Sequence, residues 1–123
     1  MKKILLLTIG IILVASYGCS NDDLQTDVFS AKIEGDKLVL ANLSGSDVFY
    51  FAVDQEELAL IDWAPSVSAD QPKVSGNQTI KVPLTDISGY SDNTKVIIVH
   101  YWNAIVEAGQ SKPGEIKIHR LEL

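Results

Sequence analysis

Thr94-Lys95-Val96-Ile97-Ile98-Val99-His100-Tyr101-Trp102-Asn103 is the stretch on which the fold turns. It is the most hydrophobic part of the chain beyond the first twenty residues, and β-branched and aromatic side chains dominate it. A run of this kind reads as a central strand covered on both faces. Neighbouring side chains on a strand point to opposite faces, so Tyr101 and Trp102 cannot enter one core together. One register turns Ile97, Val99 and Tyr101 inward and leaves Val96, Ile98, His100 and Trp102 outside. The other register exchanges the two sets. Apolar surface is left on the second face in either case. It is either covered by a loop or exposed as a partner surface.

Working outward, Val48 to Val53 repeats the problem, with Phe49, Phe51 and Val53 on one side and Tyr50 on the other. Val28 to Glu34 alternates, with Phe29, Ala31 and Ile33 on one face. Gly35-Asp36 is a tight turn, Lys37 to Leu43 the returning strand, and Ser44 to Asp47 a further turn. Asp54 and Glu57 have capping-box spacing, which predicts one helical turn. A short strand from Leu60 to Trp63 is expected next, with a continuous strand from Leu58 as the alternative. Pro65 to Gly76 reads as a loop. Asn77 to Leu84 reads as a strand, and Pro83 within it points to a sheet edge. Thr85 to Asn93 and Ala104 to Gly114 read as loops. Glu115 to Leu123 closes the chain with Ile116 and Ile118 opposed to Lys117 and His119. Seven strands with almost no helix predict an all-β domain over residues 28–123: a single antiparallel Ig-like β-sandwich.

The chain begins differently. Lys2 and Lys3 precede an unbroken apolar run from Ile4 to Ala15, then Ser16, Tyr17, Gly18 and the only cysteine, Cys19. A basic start, an apolar core and a small residue before the cut are the parts of a secretory signal peptide, here residues 1–18. Twelve residues at about 1.5 Å each are too few to span roughly 30 Å of hydrocarbon. Ser16-Tyr17-Gly18-Cys19 resembles a bacterial lipobox, although Ser16 stands where that family favours an aliphatic residue. The resemblance implies cleavage before Cys19 and acylation of its thiol and amine. Ser20, Asn21, Asp22 and Asp23 look like the acidic signal that directs Bacteroidota lipoproteins to the cell surface. With Asn42-Leu43-Ser44, Tyr50-Phe51, Ile61-Asp62-Trp63-Ala64-Pro65 and Tyr101-Trp102, the chain resembles small Bacteroidota lipoproteins. That resemblance implies an outer-membrane anchor, at the cell surface or otherwise on the periplasmic face. It implies no activity. Residues 19–27 are then the lipidated cysteine and an acidic tether, whose eight residues after Cys19 reach about 25 Å when extended.

Cleavage before Cys19 takes 18 of the 123 residues and leaves 105, enough for one domain. The leader carries two of the ten basic residues, so the remainder has 8 basic against 16 acidic, a balance of −8. Clustered Lys and Arg are absent, which argues against nucleic acid as a partner. An acylated Cys19 leaves no thiol for a disulfide.

No residue pattern calls for a cofactor or a catalytic group. Gly89-Tyr90-Ser91-Asp92-Asn93 lacks the second glycine of a serine elbow and lies before a strand. His100 and His119 have no second ligand at zinc spacing, so no metal site is expected. His100 reads as a hydrogen-bonded core residue and His119 as solvent-facing. Asp86, Asp92 and Asn93 share a polar loop without the Asp-x-Asp-x-Asp core of a calcium site. The aromatics Tyr50, Trp63 and Trp102 remain as a candidate surface for a protein or glycan partner. The expectation is a non-enzymatic binding or structural module held to the membrane through Cys19. The alternatives are a small envelope hydrolase, or a protease inhibitor that inserts the Pro65 to Gly76 loop.

Overall fold

The computed structural model describes residues 28–123. Cys19, the leader and the tether lie outside the described residues. Nine strands form: β1 (Phe29–Glu34), β2 (Lys37–Asn42), β3 (Val48–Asp54), β4 (Lys73–Val74), β5 (Thr79–Pro83), β6 (Val96–Trp102), β7 (Ala104–Glu107), β8 (Gln110–Pro113) and β9 (Lys117–Glu122). Among the described residues one α-helical turn, α1 (Gln55–Leu58), starts at Asp54, whose carboxylate accepts from the Glu56 amide, and a 3-10 turn spans Leu84–Asp86. Asp54 therefore caps the expected turn, but the capping box is not closed: the Asp54 amide donates to the Ser88 carbonyl at 2.9 Å and not to Glu57.

Seven strands make two antiparallel sheets, in the orders β1-β2-β5 and β4-β3-β6-β9. The chain changes sheet between β2 and β3, returns between β4 and β5, and crosses again between β5 and β6. This is an Ig-like sandwich in which the short fourth strand has joined the sheet of the third; in the constant-type order it lies in the other sheet. Pro83 is at the end of β5, which pairs only with β2, so the missing N–H costs no ladder bond at that edge.

The core lies between the sheets. Phe29, Leu38 and Leu40 meet Val48, Ala52, Val74, Ile97, Val99 and Tyr101, and Leu84 and Ile87 close one side. Thus β6 takes the register with Ile97, Val99 and Tyr101 inward. In β3 it is Tyr50, with Val48 and Ala52, that faces this core, while Phe49, Phe51 and Val53 point outward. The Phe29 ring stacks on Tyr101 at 4.8 Å.

Several boundaries differ from the sequence reading. Leu60 to Trp63 forms no strand; Trp63 lies against Phe51 on the outer face of the larger sheet, while Leu60 and Asp62 are exposed. The seventh sandwich strand is instead Lys73–Val74, inside the expected loop. Ala104 to Gly114 is a two-stranded hairpin and not a loop. Its turn residues Ala108 and Gly109 have φ of 54° and 78°, the type I′ geometry that sequence usually announces with Asn-Gly. β9 has the opposite facing to the one that its isoleucines suggest. Leu121 packs on the core and His119 stacks on Tyr101, leaving Ile116 and Ile118 exposed.

Candidate functional site

Two regions carry the chemistry-bearing side chains. The first is the end of the sandwich where β1 begins, the β2–β3 turn closes, β6 ends and β9 starts. Asn42 organises it. The residue is fully buried, and a buried amide needs partners for every polar atom. Its Nδ2 donates to the carbonyls of Ser46 at 2.7 Å and Val74 at 2.9 Å. Its Oδ1 accepts from the Ser44 amide at 2.9 Å and the Ser44 hydroxyl at 2.7 Å. One side chain thereby ties β2, the β2–β3 turn and β4 together. Gly76 completes the junction: a Cβ there would stand 2.6 Å from the Gly45 carbonyl oxygen, so only glycine lets the two turns approach so closely.

This frame surrounds a cavity of about 240 Å³. Phe29, Val48, Tyr101 and Trp102 give it apolar walls; Ser44, Ser46, Asn103, Glu115 and Lys117 line the rest. Its volume is below the roughly 300–1,000 Å³ of ordinary small-molecule sites. Several of the polar groups nearby are already engaged with the protein: Ser44 with Asn42, and the Asn103 amide with the Asp47 carbonyl. The Ser44 hydroxyl is held by Asn42 and has no base beside it to activate it. The His119 ring lies 4.9 Å from Tyr101, and its Nε2 donates to the Phe29 carbonyl at 2.6 Å. It therefore faces inward from β9, where the sequence reading placed it toward solvent. Burial raises the Tyr101 phenol above its ordinary value and keeps it protonated at neutral pH.

The second region is the outer face of the larger sheet. Phe51, Trp63, His100 and Trp102 form a layer there. Trp63 is 4.8 Å from Phe51, 4.6 Å from His100 and 6.0 Å from Trp102. The segment from Trp63 to Pro72 is pinned to this side of the sheet. Trp102 Nε1 donates to the Ser66 carbonyl at 2.8 Å, Gln71 Nε2 donates to the Tyr50 carbonyl at 2.8 Å, and the Tyr50 amide donates to Pro72 at 3.1 Å. Trp102 is only 1% exposed and Trp63 is half-buried. His100 is also buried, and desolvation lowers the pKa of its imidazole.

The three aromatic candidates therefore separate. Trp63 and Trp102 share the outer layer, while Tyr50 is half-buried in the other one, between the sheets, with its phenol pushed upward by burial. They do not make one continuous surface. Sequence reasoning missed Asn42 as a hub; the signal available was an Asn two residues before a Ser, the spacing of an Asx turn. Among the described residues, no three His, Cys, Asp or Glu side chains gather as metal ligands, and no helix is long and apolar enough to cross a membrane. No protein-family model, no curated protein and no solved structure matches the chain.

Proposed function

We propose that this chain is a lipid-anchored, non-enzymatic binding or structural module of the cell envelope. The observation that carries the reading is the leader: Lys2-Lys3, the apolar run Ile4 to Ala15, and Cys19 behind Gly18, followed at short distance by a domain that begins with β1. Acyl chains on Cys19 supply the hold on the membrane, at about 0.8 kcal/mol per buried methylene, and two or three chains make it lasting. Ser20 to Asp23 direct the protein to the outer face. Ser44, His100 and His119 are each bonded within the fold, which supports a non-catalytic role for these three side chains. What such a sandwich offers a protein or glycan partner is its ends and connections.

Intact-mass analysis of the protein from a membrane fraction tests the anchor. The expected species begins at Cys19 and is heavier by two or three fatty acyl chains. A chain beginning elsewhere, or an unmodified residue 19, defeats the reading. Affinity capture from detergent-solubilised membranes tests the partner, and repeated recovery of this chain alone argues against one.

A further inference from the structure

The β7–β8 hairpin is the least supported element of the fold. Every residue from Ala104 to Lys112 is exposed, and its two strands pair only with each other. An isolated two-stranded hairpin is marginal in water, so its persistence and its surface ask for a second surface. Cross-strand partners share a face, which divides the hairpin in two. Ile105 with Lys112 and Glu107 with Gln110 make one face, where Lys112 and Glu107 form an ion pair. Ala104 with Pro113 and Val106 with Ser111 make the other, which holds no charge. Val106 is 74% exposed there.

Position supplies the occupant. The hairpin leaves the sandwich after Trp102 and Asn103 and returns through Gly114, whose amide donates to the Asn103 carbonyl at 2.7 Å. Asn103 and Val28 line the same cavity, so the hairpin springs from the end of the domain at which the tether enters. Eight residues separate Cys19 from Val28, so the two are at most about 30 Å apart when the chain between them is extended. The four residues of β7 make the hairpin about 13 Å long. A domain held by Cys19 can therefore bring this end close enough for the hairpin to touch the lipid.

We propose that the uncharged Ala104-Val106-Ser111-Pro113 face of the hairpin rests in the lipid interface of the membrane that holds the Cys19 anchor, as a second contact that sets the domain's orientation. This rests on the anchored reading above. The chain after Cys19 is acidic overall, so the contact is apolar and insensitive to salt; anionic lipid would repel the domain. One valine and its small neighbours are too little to hold a free domain on a membrane. The contact works because the tether makes it intramolecular.

The test uses the acylated protein, purified from membranes with its Cys19 modification verified by mass, reconstituted in phosphatidylcholine vesicles. An environment-sensitive fluorophore is placed at Val106→Cys, and in a second preparation at Asp36→Cys, on the β1–β2 turn at the opposite end. Nitroxide-labelled lipid should quench the probe at 106 about threefold or more strongly than the probe at 36, unchanged by added salt. Equal quenching in protein that is acylated and floats with the vesicles overturns the hairpin contact and leaves the anchor standing. A probe at 106 shielded from aqueous iodide yet unquenched by lipid overturns it in favour of a protein neighbour. Protein that carries no acyl chain, or does not float, defeats the anchor and the hairpin contact together.

Discussion

Two apolar surfaces lie outside the sandwich core, and the chain treats them in opposite ways. The outer face of the larger sheet carries Phe49, Phe51, Val53, Ile98, His100 and Trp102, all buried or half-buried, and Trp63 and Ser66 of the segment that follows α1 lie over Phe51, His100 and Trp102. The β7–β8 hairpin shows Val106 and, in part, Ile105 to solvent, and every residue from Ala104 to Lys112 is exposed. The difference separates two meanings of a two-faced apolar strand. Where a long irregular segment follows with its own aromatic and a carbonyl for the indole, the second face is a second core layer. Where a short hairpin stands by itself, the apolar residues are available to something else.

The strongest way to break that contrast is Trp102→Ala. Its indole is nearly inaccessible and fastens the covering segment through Ser66. Truncation should cost about 3–5 kcal/mol, read as a lower urea midpoint. A loss near zero would mean that the outer layer is loose, and the two surfaces alike. Trp102 should also resist iodide, with Trp63 the more quenchable of the two.

Asn42→Ala comes next. It deprives the Ser46 and Val74 carbonyls and the Ser44 amide of their partner in a buried site, which should cost about 2–3 kcal/mol. The variant sharpens the comparison because the hub sits at the end from which the hairpin springs. The Val106 probe should respond to membranes in the same way if the hairpin acts independently of the hub.

A smaller effect is expected from pH. Burial holds His100 below its ordinary value of 6.5, so the unfolded chain takes up a proton at higher pH than the folded chain. Its contribution is complete above that value and is lost as pH falls through 6.5 toward the folded value. Thermal unfolding between about pH 7.5 and 5.5 should therefore show a melting temperature that falls with acid, and His100→Gln should flatten the fall. An unchanged slope would mean that the imidazole is better hydrated than the outer layer implies.

How much of this was legible differs between the same regions. The strands β1, β2, β3, β5 and β6 follow from alternation and β-branched runs, and Pro83 marks its edge by chemistry alone. The choice between faces was not legible for β3 or β9. Phe49 and Phe51 outweigh Tyr50 in any count of apolarity, yet Trp63 and His100 draw them outward through contacts 49 residues away in sequence for the Phe51–His100 pair. In β9, Ile116 and Ile118 look like the buried set, but Leu121 and the stacking of His119 on Tyr101 decide otherwise. The covering loop was anticipated only as one of two outcomes, because no local pattern says where a proline-rich segment will land. Asn42 escaped because a buried amide looks like any turn residue until its four partners are assembled.

The hairpin was missed because its turn breaks the usual chemistry. Ala108 occupies a left-handed conformation, φ 54°, at a position where Asn, Asp or Gly is ordinary. A Cβ in that region costs about 1–2 kcal/mol, and Asn recovers part of it by bonding its own backbone. Ala108→Asn should therefore tighten the hairpin by about 0.5–1 kcal/mol. The gain should show as slower hydrogen exchange at the amides of Glu107 and Gln110. It should barely move the melting temperature, because β7 and β8 share no sheet with the sandwich and open without it. An equal gain in global stability would show that the hairpin is coupled to the core, and the contrast between the covered face and the free one would fail at its second term.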